Sequence, residues 1–155
     1  GATGTTNEST GTMMREMVLK GPSAYDCLFV YEAAAIEYLK AAEGRWGSLT
    51  VVYPRRNLWN DNPYYVLNVP WSSPAQRSAA QRFCRFLMSE ASQAKARDHG
   101  FRPGDPVVPV LTPESPFTVA TRFGIRNDLG SIGEPPSSEV LTNLLAAFTR
   151  AAGRR

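Results

Sequence analysis

Two adjacent residues, Tyr31 and Glu32, pair a phenol and its aromatic face with a carboxylate that accepts hydrogen bonds. They stand where an apolar run, Asp26 to Tyr31 (DCLFVY), passes into the helix-forming run Ala33 to Ala42. In open α/β sheets ligands bind beyond the carboxyl ends of the strands. Tyr31 and Glu32 are therefore the first candidates for ligand contact, although Glu32 could equally serve the helix N-terminus through its charge alone. The second candidate is Ser9-Thr10-Gly11, whose hydroxyls and backbone N–H groups open another helix. Such a start can hold an anion, or the hydroxyls can simply cap the helix.

Other chemistry is excluded or weakly supported. His99 is the single histidine, so a multi-histidine metal site is impossible and a Ser-His-Asp triad has one candidate base. It lies between Asp98 and Gly100, where a helix-capping role is expected. Cys27 and Cys84 match no zinc or redox spacing and are expected to be buried free thiols. Phosphate-cradling, metalloprotease and nucleophile-elbow motifs are all absent. Asp128 and Glu134 could pair as carboxylates, but their glycine-rich surroundings favour solvated loop positions. Glu32 could act as a general acid or base only with a second group beside it, and the spacing names none. We therefore expect no catalytic residue, no metal and no cofactor.

The elements that must position these residues follow from periodicity. Met13, Met14, Met17 and Val18 give one apolar face of a helix capped by Ser9 or Thr10 and stopped by Gly21-Pro22. Asp26–Tyr31, the helix after it and Leu49–Tyr53 (LTVVY) form strand, helix and strand, the signature of a parallel pair with a right-handed crossover. Tyr64–Val69 is a third expected strand. Ser73, Pro74 and Gln76 make a capping box for a helix expected to run to about Asp98. Its buried stripe would be Ala79, Ala80, Phe83, Phe86, Leu87, Ala91 and Ala94, so Phe83→Ala should destabilise by about 3–5 kcal/mol. Prolines 103, 106, 109, 113 and 116 make the following stretch an extended crossing segment, and residues 104–155 end in a helix capped by Ser137 or Ser138. Residues 1–8 and the end, Gly153-Arg154-Arg155, are expected to fray.

The 155 residues, 43% hydrophobic and 20% charged, suit a single α/β domain with its own core. No run is long and apolar enough to span a membrane. The first twelve residues lack the pattern of a signal peptide, so the protein is either cytoplasmic or has a leader outside this chain. The net charge of +3 is carried by scattered Arg with no basic stripe, and nucleic acid is not an expected partner.

Five segments in order carry a resemblance: Asp26 to Glu32 (DCLFVYE), Val52-Tyr53-Pro54, Pro63 to Leu67 (PYYVL), the helix with Phe86-Leu87-Met88-Ser89 through Gln93, and Gly100-Phe101-Arg102-Pro103. The pattern FLxSxxxQ followed by GF is the most specific part. Over residues 9–110 the chain resembles the C-terminal part of bacterial extracellular solute-binding proteins of the type II periplasmic-binding fold, nearest to the molybdate-binding-like and von Willebrand factor A-associated branch. The resemblance implies a parallel or mixed sheet flanked by helices and a non-enzymatic role. It implies a small-molecule solute, a membrane transporter as partner, a periplasmic or extracytoplasmic location, and a place in a larger two-lobed protein. It also implies that Tyr31 reaches the ligand cleft. A carboxylate such as Glu32 repels an oxyanion by about 1–4 kcal/mol at 4 Å, so molybdate is not carried over, and a neutral, hydroxylated or cationic solute fits at least as well. The alternative is a free-standing interaction protein that homodimerises.

Overall fold

Ser9 is the N-cap of the first helix, α1 (Thr10–Lys20), its hydroxyl accepting from the Thr12 N–H at 3.2 Å. The computed structural model describes residues 9–152; the expected frayed ends, 1–8 and 153–155, lie outside the described residues. Gly21 closes α1 at φ 64°, a left-handed angle that glycine adopts without steric cost. A Cβ there would sit 2.4 Å from the Trp46 ring, so only glycine lets the indole pack on the helix end. Next come α2 (Glu32–Ala42), β1 (Arg56–Asn57), α3 (Pro74–Leu87), α4 (Glu90–Asp98), α5 (Pro116–Ala120), β2 (Ser131–Ile132) and α6 (Ser138–Ala152).

The chain forms two compact units, Gly1–Val52 with Pro63–Asp128, and Tyr53–Asn62 with Leu129–Arg155. In the first, α1 packs on α2 and α2 on α5. Their inward faces supply the core: Met14 and Val18 from α1, Ala35, Leu39 and Ala42 from α2, Phe117 and Ala120 from α5, with Val108 and Ile125. Small alanines on α2 let the helices approach closely, and Phe117, fully buried, fills the centre. Ser115 is also fully buried, and its hydroxyl is satisfied at both ends: it donates to the Val110 carbonyl at 2.7 Å and accepts from the Phe117 N–H. The proline-rich segment thus contains no helix until Pro116, which occupies the first turn of α5, where its missing N–H does no harm.

In the second unit, β1 and β2 pair in parallel, Arg56 opposite Ser131 and Asn57 opposite Ile132. The Asn57 side chain donates to the Leu129 carbonyl at 2.8 Å and fixes the register. Ser137 heads α6, its carbonyl accepting from Leu141 and its hydroxyl from Val140. The α6 stripe of Val140, Leu141, Leu144, Leu145 and Phe148 is exposed.

The structure corrects several expectations. Asp26–Tyr31, Leu49–Tyr53 and Tyr64–Val69 are not strands, and β1–β2 is the parallel pairing among the described residues. The two runs that were to form a parallel pair do alternate as strands would: Leu28 and Val30 are half-buried while Phe29 is 94% exposed, and Val51 and Tyr53 are half-buried while Val52 is 80% exposed. A parallel strand is covered on both faces and paired along its edges. Here the outer face is bare, so the apolar runs have propensity without a ladder.

The helix expected over 74–98 is two helices. Ser89 breaks it by capping α4 through the Ser92 N–H. The Phe83 stripe is not core: Phe83 is 51% exposed and Phe86 and Leu87 are exposed too, with Phe83 touching the rings of Tyr64 and Phe86 at centroid distances of 6.0 and 6.2 Å. Both cysteines are free, but neither is buried; Cys27 is exposed and Cys84 half-buried.

Candidate functional site

The site grows from the end of α4. His99 is its C-cap, as its position between Asp98 and Gly100 implied. Gly100 follows at φ 81°, its N–H bonded to the Arg97 carbonyl, while the Phe101 N–H reaches back to the Ala96 carbonyl at 3.1 Å. This is the Schellman closure, which calls for a residue in the left-handed region. Gly100 is also buried against the start of α2: a Cβ there would lie 3.3 Å from the Ala33 Cα. One glycine therefore both ends α4 and lets its end touch α2.

Two residues further on, Arg102 meets Glu32. Its Nε donates to Glu32 Oε2 at 2.7 Å and its Nη2 to Oε1 at 2.9 Å, a bidentate pair. The Arg102 side chain is 9% exposed and that of Glu32 20%. The same guanidinium donates to the Asn127 carbonyl at 2.9 Å and to that of Arg126, and lies 5.3 Å above the ring of buried Phe117. Arg102 thus ties the first residue of α2 to the chain after α4, to the 126–127 segment and to the core.

Gln93 supports this join from the other side. Its amide donates to the Leu87 carbonyl at 2.8 Å and accepts from the Gly104 N–H at 2.7 Å. The pattern FLxSxxxQ followed by GF thereby has a physical content. Ser caps α4, Gln latches the neighbouring backbone on either side of α4, and Gly turns the chain toward α2.

The predicted residues occupy two helix starts. Tyr31 is the N-cap of α2, with no side-chain cap on the helix and with 57% of its surface exposed. Glu32 is the first residue of α2, and Arg102 is the partner the structure gives it. Ser9 caps α1 and Thr10 is its first residue. Ser9 Oγ also lies 3.0 Å from Thr12 Oγ1, so this hydroxyl serves its own helix. Asp128 and Glu134 fall in different units. Arg102 was visible in the sequence only as part of Gly100-Phe101-Arg102-Pro103. The available signal was an arginine two residues beyond a helix-closing glycine, but nothing local named its partner 70 residues upstream.

A second feature of the same unit is a half-open cleft of about 130 Å³ between the end of α1 and the loop after α2. Trp46, Tyr25 and Asp26 line it, with Met17, Leu49 and Gly21. Trp46 is fixed by donating Nε1–H to the Val18 carbonyl at 2.8 Å. Tyr25 donates its hydroxyl to Glu16 Oε2 at 2.9 Å. Lys20 and then Tyr25, both hydrogen-bonded to Glu16, hold that carboxyl below the usual glutamate value.

Residues 4–102 match the family described as bacterial extracellular solute-binding protein. The match spans well over half of the chain, from before α1 through α4 to Arg102, and the chain belongs to that family. Its members are binding proteins rather than enzymes as a class. No curated protein and no solved structure matches the chain.

Proposed function

We propose that the chain is a non-enzymatic solute-binding segment of an extracytoplasmic protein with the type II periplasmic-binding fold, and that a small solute is contacted at the start of α2. The observation that carries this reading is the clamp of Arg102 on Glu32. It holds the first turn of α2 rigid and leaves Tyr31, the uncapped N-cap before it, facing solvent. The exposed phenol supplies a hydrogen-bond donor and an aromatic face to the solute. With Glu32 committed to Arg102, its carboxylate orients the site instead of reacting. With the Ser9 hydroxyl committed to capping α1, Thr10 would be the residue of that helix start to add a hydroxyl, and the loaded protein would deliver its solute to a membrane transporter. A thermal-shift screen of sugars, amino acids, amines and oxyanions tests the proposal. A solute that raises the melting temperature of the wild type and not of Tyr31→Ala is expected; a panel without a single such solute overturns solute binding by this chain.

A second reading rests on the bare apolar surface. Phe29, Val52, Tyr65, Phe83 and Phe86 are all exposed, and Phe83 and Phe86 lie stacked with centroids 6.2 Å apart on α3. A second copy of this chain covering the Phe83–Phe86 pair on α3 would give a two-fold homodimer. Light scattering with a mass of twice 17.0 kDa supports it, and a monomer at high concentration retires it.

A further inference from the structure

The cleft beside Trp46 is separate from the α2 start and has chemistry of its own. Three of its groups favour positive charge. The indole of Trp46 offers the ring type that attracts cations most strongly. It is held in place by its bond to the Val18 carbonyl and by its seat on Gly21, yet 53% of its surface remains exposed. Tyr25 adds a phenol whose hydroxyl proton is given to a carboxylate, which leaves its ring richer in electrons. Asp26, exposed on the same cleft, adds a full negative charge. Met17 and Leu49 supply apolar lining. Lys20 neutralises Glu16 at 2.9 Å, so the carboxylate of the cleft itself is that of Asp26. About 130 Å³ accommodates a compact head group and not an extended chain.

We propose that this cleft binds a small organic cation, an ammonium or quaternary ammonium head group, held over the Trp46 ring with its charge facing Asp26. Recognition needs no proton transfer and no change of backbone, since the indole is already fixed. The site does not depend on Tyr31 or on the proposed solute contact, so either can fail alone.

The test follows the Trp46 indole N–H resonance of the intact chain by NMR during titration with tetramethylammonium chloride, at constant ionic strength kept with sodium chloride. The uncharged analogue 2,2-dimethylpropan-1-ol, of the same branched shape with one added hydroxyl, is titrated in parallel. The expected result is a saturable shift of the Trp46 resonance with tetramethylammonium, and a much smaller one with the alcohol. Asp26→Asn, at an exposed position that leaves the core intact, should weaken the cation about two- to fivefold, the upper part of the range for an exposed charge pair. A non-saturating shift, equal shifts with the cation and the alcohol, or unchanged affinity in Asp26→Asn overturns the proposal.

Discussion

Replacing Arg102 by Met keeps most of the apolar stem of the side chain and removes every one of its donors. The hydrogen bonds lost include two to Glu32 and one each to the carbonyls of Asn127 and Arg126. Removing one partner of a buried ion pair costs about 3–5 kcal/mol, chiefly because the remaining charge is stranded. The Glu32 side chain keeps 20% of its exposure, so water relieves part of that penalty and the lower end, about 3 kcal/mol, applies. Glu32→Gln removes charge without shape, and Arg102 keeps its carbonyl acceptors. That change should cost about 1.5 kcal/mol, the loss of a charged hydrogen bond. The double variant strands no charge and should be less destabilised than the two single losses summed, by at least about 1 kcal/mol. Urea denaturation of the wild type and three variants, followed by circular dichroism, measures all four stabilities. An Arg102→Met variant within about 0.5 kcal/mol of wild type, the range of an ordinary surface change, would refute the assignment of Arg102 as the clamp of the α2 start.

Three further expectations follow from single residues. Gly100→Ala should lower stability by about 1–2 kcal/mol, since φ is 81° and a Cβ would press on the Ala33 backbone; a variant more stable than wild type, as at an unstrained glycine, would show that neither constraint operates. Phe83→Ala should cost only about 1 kcal/mol instead of the 3–5 of a buried ring, because half of Phe83 already faces water; a loss in the full range would mean that the ring is covered in solution. Glu16 has its folded pKa held below the usual 4.5, so its contribution is present above that value and lost as pH falls through the lower folded one. Acid titrations of stability should therefore fall more steeply below pH 4.5 in wild type than in Glu16→Gln, and coincident curves would remove Glu16 from the account.

What could be read from the sequence was local. Ser9, Ser73 with Gln76, and Gly100 mark helix ends through bonds of three to five residues' reach, and each marks one in the structure. Ser89 was missed because Phe86, Leu87, Ala91 and Ala94 keep helical spacing across it, and the apolar pattern hid the cap. The strands failed for the opposite reason. Phe29 and Val52 have the types and alternation of strand residues, but a ladder needs partners far along the chain, which no local pattern reports. Tyr31 and Glu32 were legible as the start of a helix; the arginine that fixes Glu32, 70 residues away, was not. The family match through Arg102 restores part of that distant information, since it spans both halves of the clamp.

We propose that a solute sits at the start of α2. Amide chemical-shift mapping of the chain with a solute taken from the thermal-shift screen tests it most directly. Saturable shifts concentrated at Tyr31, Glu32 and Ala33 are expected, lost in Tyr31→Ala, with Arg102 responding through its bond to Glu32. Saturable shifts confined to other parts of the chain, and retained in Tyr31→Ala, would contradict it.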